Sequence, residues 1–272
     1  MGFCTFKYGR CKSNRAWRSV MENLFRLDKK IVLITGASSG IGRQCAAACA
    51  AMGVKVVLFG RDEKRLSEAC KSLEGTGHLY YMADITKYDV LEFNIRDAAE
   101  KAGPISGFIH SAGVEMTKPL KMMKPEDYEQ LFAVNVISGF EMARILLKKK
   151  YHAEKMSMVF ISSILGVCGK SAAIGYCASK GALLAGAKAM ALEYASKNIR
   201  VNCVSPATIE TEMTKKLFDT IPVEAKEEIV KMHPMGFGKT EDAANACVFL
   251  LSDASGWITG TNLVVDGGYS AK

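Results

Sequence analysis

Short apolar runs rich in β-branched residues alternate along the chain with longer segments whose apolar positions recur every three or four residues. The first kind, such as Ile31-Val32-Leu33-Ile34-Thr35, has the length and composition of a strand buried on both faces. The second kind, such as the Ala-rich stretch after Gly40, reads as helix. The pattern predicts strands at 31–35, 54–59, 77–82, 105–110, 157–162, 200–204 and 262–265. It predicts helices at 41–52, 63–73, 88–102, 125–151, 175–196 and 241–252, with two helical pieces between 212 and 233. This alternation implies an α/β fold, with one doubly wound parallel sheet of about seven strands and helices on both faces. Residues 21–272 contain no repeat at a solenoid period and no low-complexity segment, so they read as a single domain.

Composition narrows the function classes. Hydrophobic residues make up 49% and charged residues 24% of the 272-residue chain, which suits a protein with a large core. No apolar run reaches membrane-spanning length, so no span is expected. The net charge of +8 invites a nucleic-acid partner, but its distribution argues against one. Residues 1–20 carry Lys7, Arg10, Lys12, Arg15 and Arg18 and no acid, which leaves only +3 for the rest. That basic stretch lacks a signal-peptide core and is expected to be poorly ordered. It reads as an extension ahead of a working start at Met21, with an organelle transit segment as the alternative. The nine cysteines are scattered, with no metal-ligand spacing, so they read as free thiols in a reducing, cytoplasmic compartment with no metal site.

The chemistry begins where the first strand ends, at Thr35-Gly36-Ala37-Ser38-Ser39-Gly40-Ile41-Gly42. Glycines 36, 40 and 42 permit a tight turn and close approach of backbone to a pyrophosphate, and the following helix offers free N–H groups. Such a trio alone is often only a strand-to-helix turn; its place in a βαβ unit points to nucleotide binding. Further on, Tyr176 and Lys180 are four residues apart and share one helix face. An ammonium beside a phenol favours the phenolate, and a phenol so tuned can exchange a proton with a carbonyl or alcohol oxygen.

The TGxxxGxG loop and the Tyr-x-x-x-Lys pair together resemble the classical short-chain dehydrogenase/reductase family, most closely its 3-oxoacyl-acyl-carrier-protein reductases. The likeness covers about residues 25–270 and implies a single-domain Rossmann fold. It implies catalytic roles for Tyr176 as proton donor, Lys180 as its tuner, Ser163 as a hydrogen-bond donor to the substrate oxygen, and Asn135 as holder of a relay water. Ser162 competes with Ser163, and Asn135 could instead bond its own backbone. Cofactor contacts are implied at Gly36, Ser38, Ser39, Gly40, Ile41, Gly42, Asp84, Ile85, Ala112, Gly113, Tyr176, Lys180, Pro206, Ile209 and Thr211. Asp84 could equally be a turn residue. His-Ser-Ala-Gly at 110–113 departs from the family's Asn-Asn-Ala-Gly, so His110 reads as a packing residue at a strand end.

At the end of the second strand the family's NAD-selecting acid would fall at Gly60, and Arg61 follows. A guanidinium there can pair with a 2′-phosphate, so NADP(H) is expected over NAD(H), unless Arg61 is only a solvated loop residue. The expected reaction is reduction of a ketone to a secondary alcohol. The expected substrate is a small molecule or an acyl-carrier-bound 3-oxoacyl group, with a sugar, steroid or small diketone as alternatives. Lys148–150 and Lys197 could hold an acidic carrier, or simply meet helix dipoles. Met213, Leu217, Phe218, Ile221 and Met232 read as an apolar lid, or simply as helices packing on the core. The resemblance further implies a homotetramer packed through the helices near 125–150 and 175–197. A nucleotide sensor without turnover is the remaining alternative.

Overall fold

The computed structural model describes residues 24–271; the expected extension at 1–20 lies outside the described residues. Seven strands form one parallel sheet: β1 Ile31–Thr35, β2 Lys55–Gly60, β3 Leu79–Met82, β4 Ile105–His110, β5 His152–Ile161, β6 Ile199–Pro206 and β7 Asn262–Val265. Their spatial order is β3-β2-β1-β4-β5-β6-β7. The helices that position the site are α1 Gly40–Ala51, α2 Glu63–Lys71, α3 Tyr88–Ala102, α4 Pro125–Phe132, α5 Ser138–Leu146, α6 Ile174–Tyr194, α7 Glu212–Thr220, α8 Val223–Lys231 and α9 Thr240–Leu251. The expected doubly wound α/β Rossmann fold is the observed one.

Side chains alternate across each strand and so feed two cores. Leu33, Val57, Phe59, Phe108, Met158 and Phe160 pack on one face with α3, α5 and α6. Val32, Ile34, Val56, Leu58, Ile109 and Val159 pack on the other with α1 and α9. Cys45, Cys49 and Cys247 sit fully buried where α1 meets α9, acting as small apolar residues. The Cys45 thiol is held well above its ordinary range by its hydrogen bond with the Cys247 thiol and by burial. The described cysteines are all free. Among the described residues, no helix is long and apolar enough to cross a membrane.

Two expected elements differ. The predicted 125–151 helix is interrupted by a π turn at Ala133–Ile137 and ends at Leu146. The fifth strand starts at His152 instead of 157. Its first four residues are exposed or half-buried, so they carry no apolar signal, yet they extend the ladder beside β4. The strand order reverses between β1 and β4, which opens a crevice at the carboxyl ends of these strands.

Candidate active site

A cavity of about 480 Å³ occupies that crevice, within the usual range for small-molecule sites. At one end the β1–α1 loop turns back on itself. Gly36 has φ +66°, and a Cβ there would lie 2.8 Å from the backbone of Ala112. Gly40 has φ +52°. The N-cap residue of α1, Ser39, makes no side-chain cap bond, so the first N–H groups of the helix stay open toward the cavity. Gly36, Ser38, Ser39, Gly40 and Ile41 line the cavity. Gly42 does not: a Cβ there would strike the Gly36 carbonyl, so its part is close packing of helix on turn.

Beyond the loop, Arg61, Asp84 and Ile85 line the same wall. Arg61 makes no hydrogen bond or ion pair with the protein. A side chain at Gly60 would crowd Leu66 at 3.1 Å and Ser38 Oγ at 3.4 Å. Asp84 Oδ1 accepts from the Thr86 amide (3.0 Å) and hydroxyl (2.8 Å). These bonds hold its carboxyl below the usual range. It is therefore a turn residue, and its Oδ2 still accepts nothing from the protein.

The Thr35 hydroxyl pins the loop that closes the floor. Its oxygen accepts from the amides of Ser111 (3.1 Å) and Ala112 (3.2 Å). Its proton must then go to His110 Nδ1, 3.0 Å away. That leaves the His110 proton on Nε2, buried against the backbone of Val134 and Asn135 without a well-aligned hydrogen bond. Burial, helped by the Lys180 charge, pushes His110 down to about 3, so it is a neutral tether under the floor. Gly113 fits because a Cβ there would come within 3.3 Å of both Asn135 Oδ1 and Lys180 Nζ.

Asn135 is fully buried in the π turn and does not line the cavity. Its Oδ1 accepts from the Val114 amide at 2.8 Å, and its Nδ2 donates to the Val114 carbonyl (3.0 Å) and Ser179 Oγ (2.9 Å). It thus ties the floor to α6, which carries Tyr176 and Lys180. Both of these line the cavity, as does Ser163. Ser162, the competing serine, also lines it but donates its hydroxyl to the Lys180 carbonyl at 2.8 Å. Lys180 Nζ donates to the Ile161 carbonyl at 2.9 Å and lies 5.7 Å from the Tyr176 ring centre. Burial pushes Lys180 down to about 8.

The phenol departs from expectation. Burial pushes Tyr176 up to about 12, against the opposing effect of the nearby Ser163 hydroxyl. Desolvation of the phenolate is the dominant effect, so burial favours the protonated phenol, which can act as an acid.

A family profile described as enoyl-(acyl carrier protein) reductase matches residues 36–270. The chain belongs to the short-chain dehydrogenase/reductase family. It is 34% identical to a 3-oxoacyl-[acyl-carrier-protein] reductase of Thermotoga maritima over 89% of this chain and 98% of that one. It is 31% identical to an NAD-dependent glycerol dehydrogenase of Listeria innocua over 91% and 96%. A solved 7α-hydroxysteroid dehydrogenase complexed with NADH and 7-oxo glycochenodeoxycholic acid superposes with a TM-score of 0.84 at 28% identity, covering 91% of this chain and 96% of that one. This short-chain dehydrogenase/reductase is an oxidoreductase acting on CH–OH or C=O groups with a nicotinamide cofactor.

The remaining walls come from distant segments. Pro206, Ile209 and Thr211 line the cavity, and Thr211 also caps α7 by accepting from the Thr214 amide at 3.2 Å. Met213, Leu217, Phe218 and Met232 line it as the lid reading expects; Ile221 does not. His233 and Tyr269, unnoticed in the sequence, complete the wall with ring centres 4.9 Å apart. Their partnership spans 36 residues and leaves no local pattern. Arg65 on α2 pairs with Glu212 on α7 across the mouth. The lysines proposed to hold a carrier lie elsewhere. Lys148–150 and Lys197 flank the starts of β5 and β6, about 30 Å of strand away from the cavity. Lys148 is paired there with Glu92 at 2.6 Å, while Lys150 and Lys197 lie over the rings of Tyr151 and Tyr194.

Proposed function

We propose that the protein is an NADP(H)-dependent reductase that converts a ketone to a secondary alcohol, with Tyr176 as proton donor. The observation that carries this reading is the Tyr176 phenol, kept protonated by burial beside Ser163, in the same cavity as the open N-terminus of α1. When bound, the nicotinamide supplies the hydride. The Ser163 and Tyr176 hydroxyls hold the substrate oxygen, and the phenol donates its proton as charge develops there. The Lys180 ammonium stabilises the resulting phenolate. With its side chain spent on Val114 and Ser179, Asn135 fixes the geometry of α6, and only its backbone is left to hold a relay water.

Arg61 is assigned to the 2′-phosphate because it makes no hydrogen bond or ion pair with the described residues and Gly60 presents no competing carboxylate. The cofactor contacts expected from the family are assigned to Gly36, Ser38, Ser39, Gly40, Ile41, Asp84, Ile85, Ala112, Gly113, Pro206, Ile209 and Thr211, all of which line the cavity. An acyl-carrier-bound ketone is supported by relatives such as the Thermotoga enzyme. A small ketone is supported by the compact, partly polar pocket. A homotetramer is supported by exposed apolar side chains at Ile137, Leu192 and Trp257, and light scattering that gives a monomer would refute it. The free cysteines support a cytoplasmic setting.

The test is a fluorescence titration with NADPH and NADH. Wild type should bind NADPH more tightly, and Arg61→Ala should cut that advantage by about tenfold or more. If NADH binds more tightly, Arg61 is only a loop residue and an oxidising dehydrogenase becomes the better reading.

A further inference from the structure

Two charged side chains that line the cavity have no use in the chemistry above. Glu115 follows the floor loop two residues after Gly113 and lines the cavity with Ser163 and Tyr176. It is half-buried. Its Oε1 accepts from the Thr117 hydroxyl at 2.9 Å. No cation pairs with it, and its Oε2 accepts nothing from the protein. Lys170, also half-buried in this cavity, makes no side-chain hydrogen bond or ion pair. The two are not paired with each other. Unpaired charges that line a cavity are free to meet the polar groups of a ligand. Glu115 is also near enough to the reacting oxygen for its charge to raise the Tyr176 phenol.

We propose that Glu115 and Lys170 read the substrate, and that the ketone reduced here is a neutral polyhydroxylated one with hydroxyls flanking its carbonyl. This rests on the ketone-reductase reading. A hydroxyl can donate to the Glu115 carboxylate and accept from the Lys170 ammonium, so one polyol chain satisfies both. An ammonium would suit Glu115 and be repelled by Lys170; a carboxylate would do the reverse. A plain alkyl ketone would leave both unsatisfied. The apolar side chains of Met213, Leu217 and Phe218 can pack on the C–H faces of such a chain.

The test compares four-carbon ketones with NADPH: erythrulose, butanone and acetoacetate, with an acetoacetyl thioester as the carrier-like control. Wild type should favour erythrulose over butanone by about tenfold or more in kcat/KM. Glu115→Ala should collapse that ratio, and the isosteric Glu115→Gln should reduce it while raising acetoacetate relative to erythrulose. A wild type that prefers butanone or the thioester, or an erythrulose ratio unchanged in both variants, overturns the proposal and leaves the reductase reading standing. If NADPH reduces none of the four, the reductase reading itself falls and the proposal with it. Should a variant not fold, the wild-type ranking decides alone.

Discussion

At the phosphate-loop end the cavity is shaped by backbone; at the lid end it is walled by side chains from separated segments. The first end needs Gly36 at positive φ, pressed against Ala112, and an α1 N-terminus left uncapped by a side chain. The second gathers Glu115, Lys170, Met213, His233 and Tyr269 from segments spread over more than half the chain. Tyr176 and Lys180 stand between them on α6. On the proposed function, the contrast separates what is general to nucleotide chemistry from what is particular to the substrate. Backbone recognition tolerates little change, whereas a side-chain wall can be exchanged piece by piece.

That division can be broken at several points. Tyr176→Phe should lower kcat for ketone reduction by about a thousandfold, the ordinary scale of a positioned general acid. NADPH binding should survive it, because the loop end is untouched. Activity near wild type would mean that another group supplies the proton. Gly36→Ala should do the opposite and weaken NADPH binding by about tenfold to a hundredfold. The new Cβ meets the Ala112 backbone at 2.8 Å, and the φ of +66° is one that L side chains rarely adopt. An undiminished affinity, read by titration, would show that the loop does not cradle the cofactor.

The reaction centre should also reveal itself in a pH–rate profile. Lys180 is a cation below about 8 and loses its charge as pH rises through that value. Reduction should therefore fall on the alkaline side, as the ammonium that stabilises the phenolate disappears. Lys180→Met should lower the plateau and remove that limb; a limb that persists belongs to a different group. The smallest effect is expected from Glu212→Gln, which frees the lid from Arg65. The pair is exposed, 39% and 61% on its two sides, so water screens it and its removal has little effect. KM should move by less than about fivefold, and a larger change would make the pair a true latch.

Much of the first end was legible in the chain. The strands at 31–35, 105–110 and 262–265 and the helix at 88–102 have the bounds read from hydrophobic pattern. The glycine loop, Arg61 and the Tyr-x-x-x-Lys pair could be read because their geometry is local. The π turn at Asn135 could not, since it shifts the apolar pattern by only one residue within a continuous helical stretch. The start of β5 was hidden because its first residues lie open to solvent. Thr35 holding His110, Ser111 and Ala112 from a different strand leaves no pattern in sequence. The direction of the Tyr176 shift depends on burial, which spacing does not reveal. Gly42 was placed correctly in the loop, but its role is packing rather than lining.

The most direct test follows the hydride itself. NADPH deuterated at the transferable position of its nicotinamide is incubated with the enzyme and the ketone panel, and products are read by mass spectrometry and NMR. The account predicts a secondary alcohol carrying one deuterium at the former carbonyl carbon for each NADPH consumed, lost in Tyr176→Phe. NADPH consumption without deuterated alcohol, or no turnover across the panel while NADPH still binds, would contradict it.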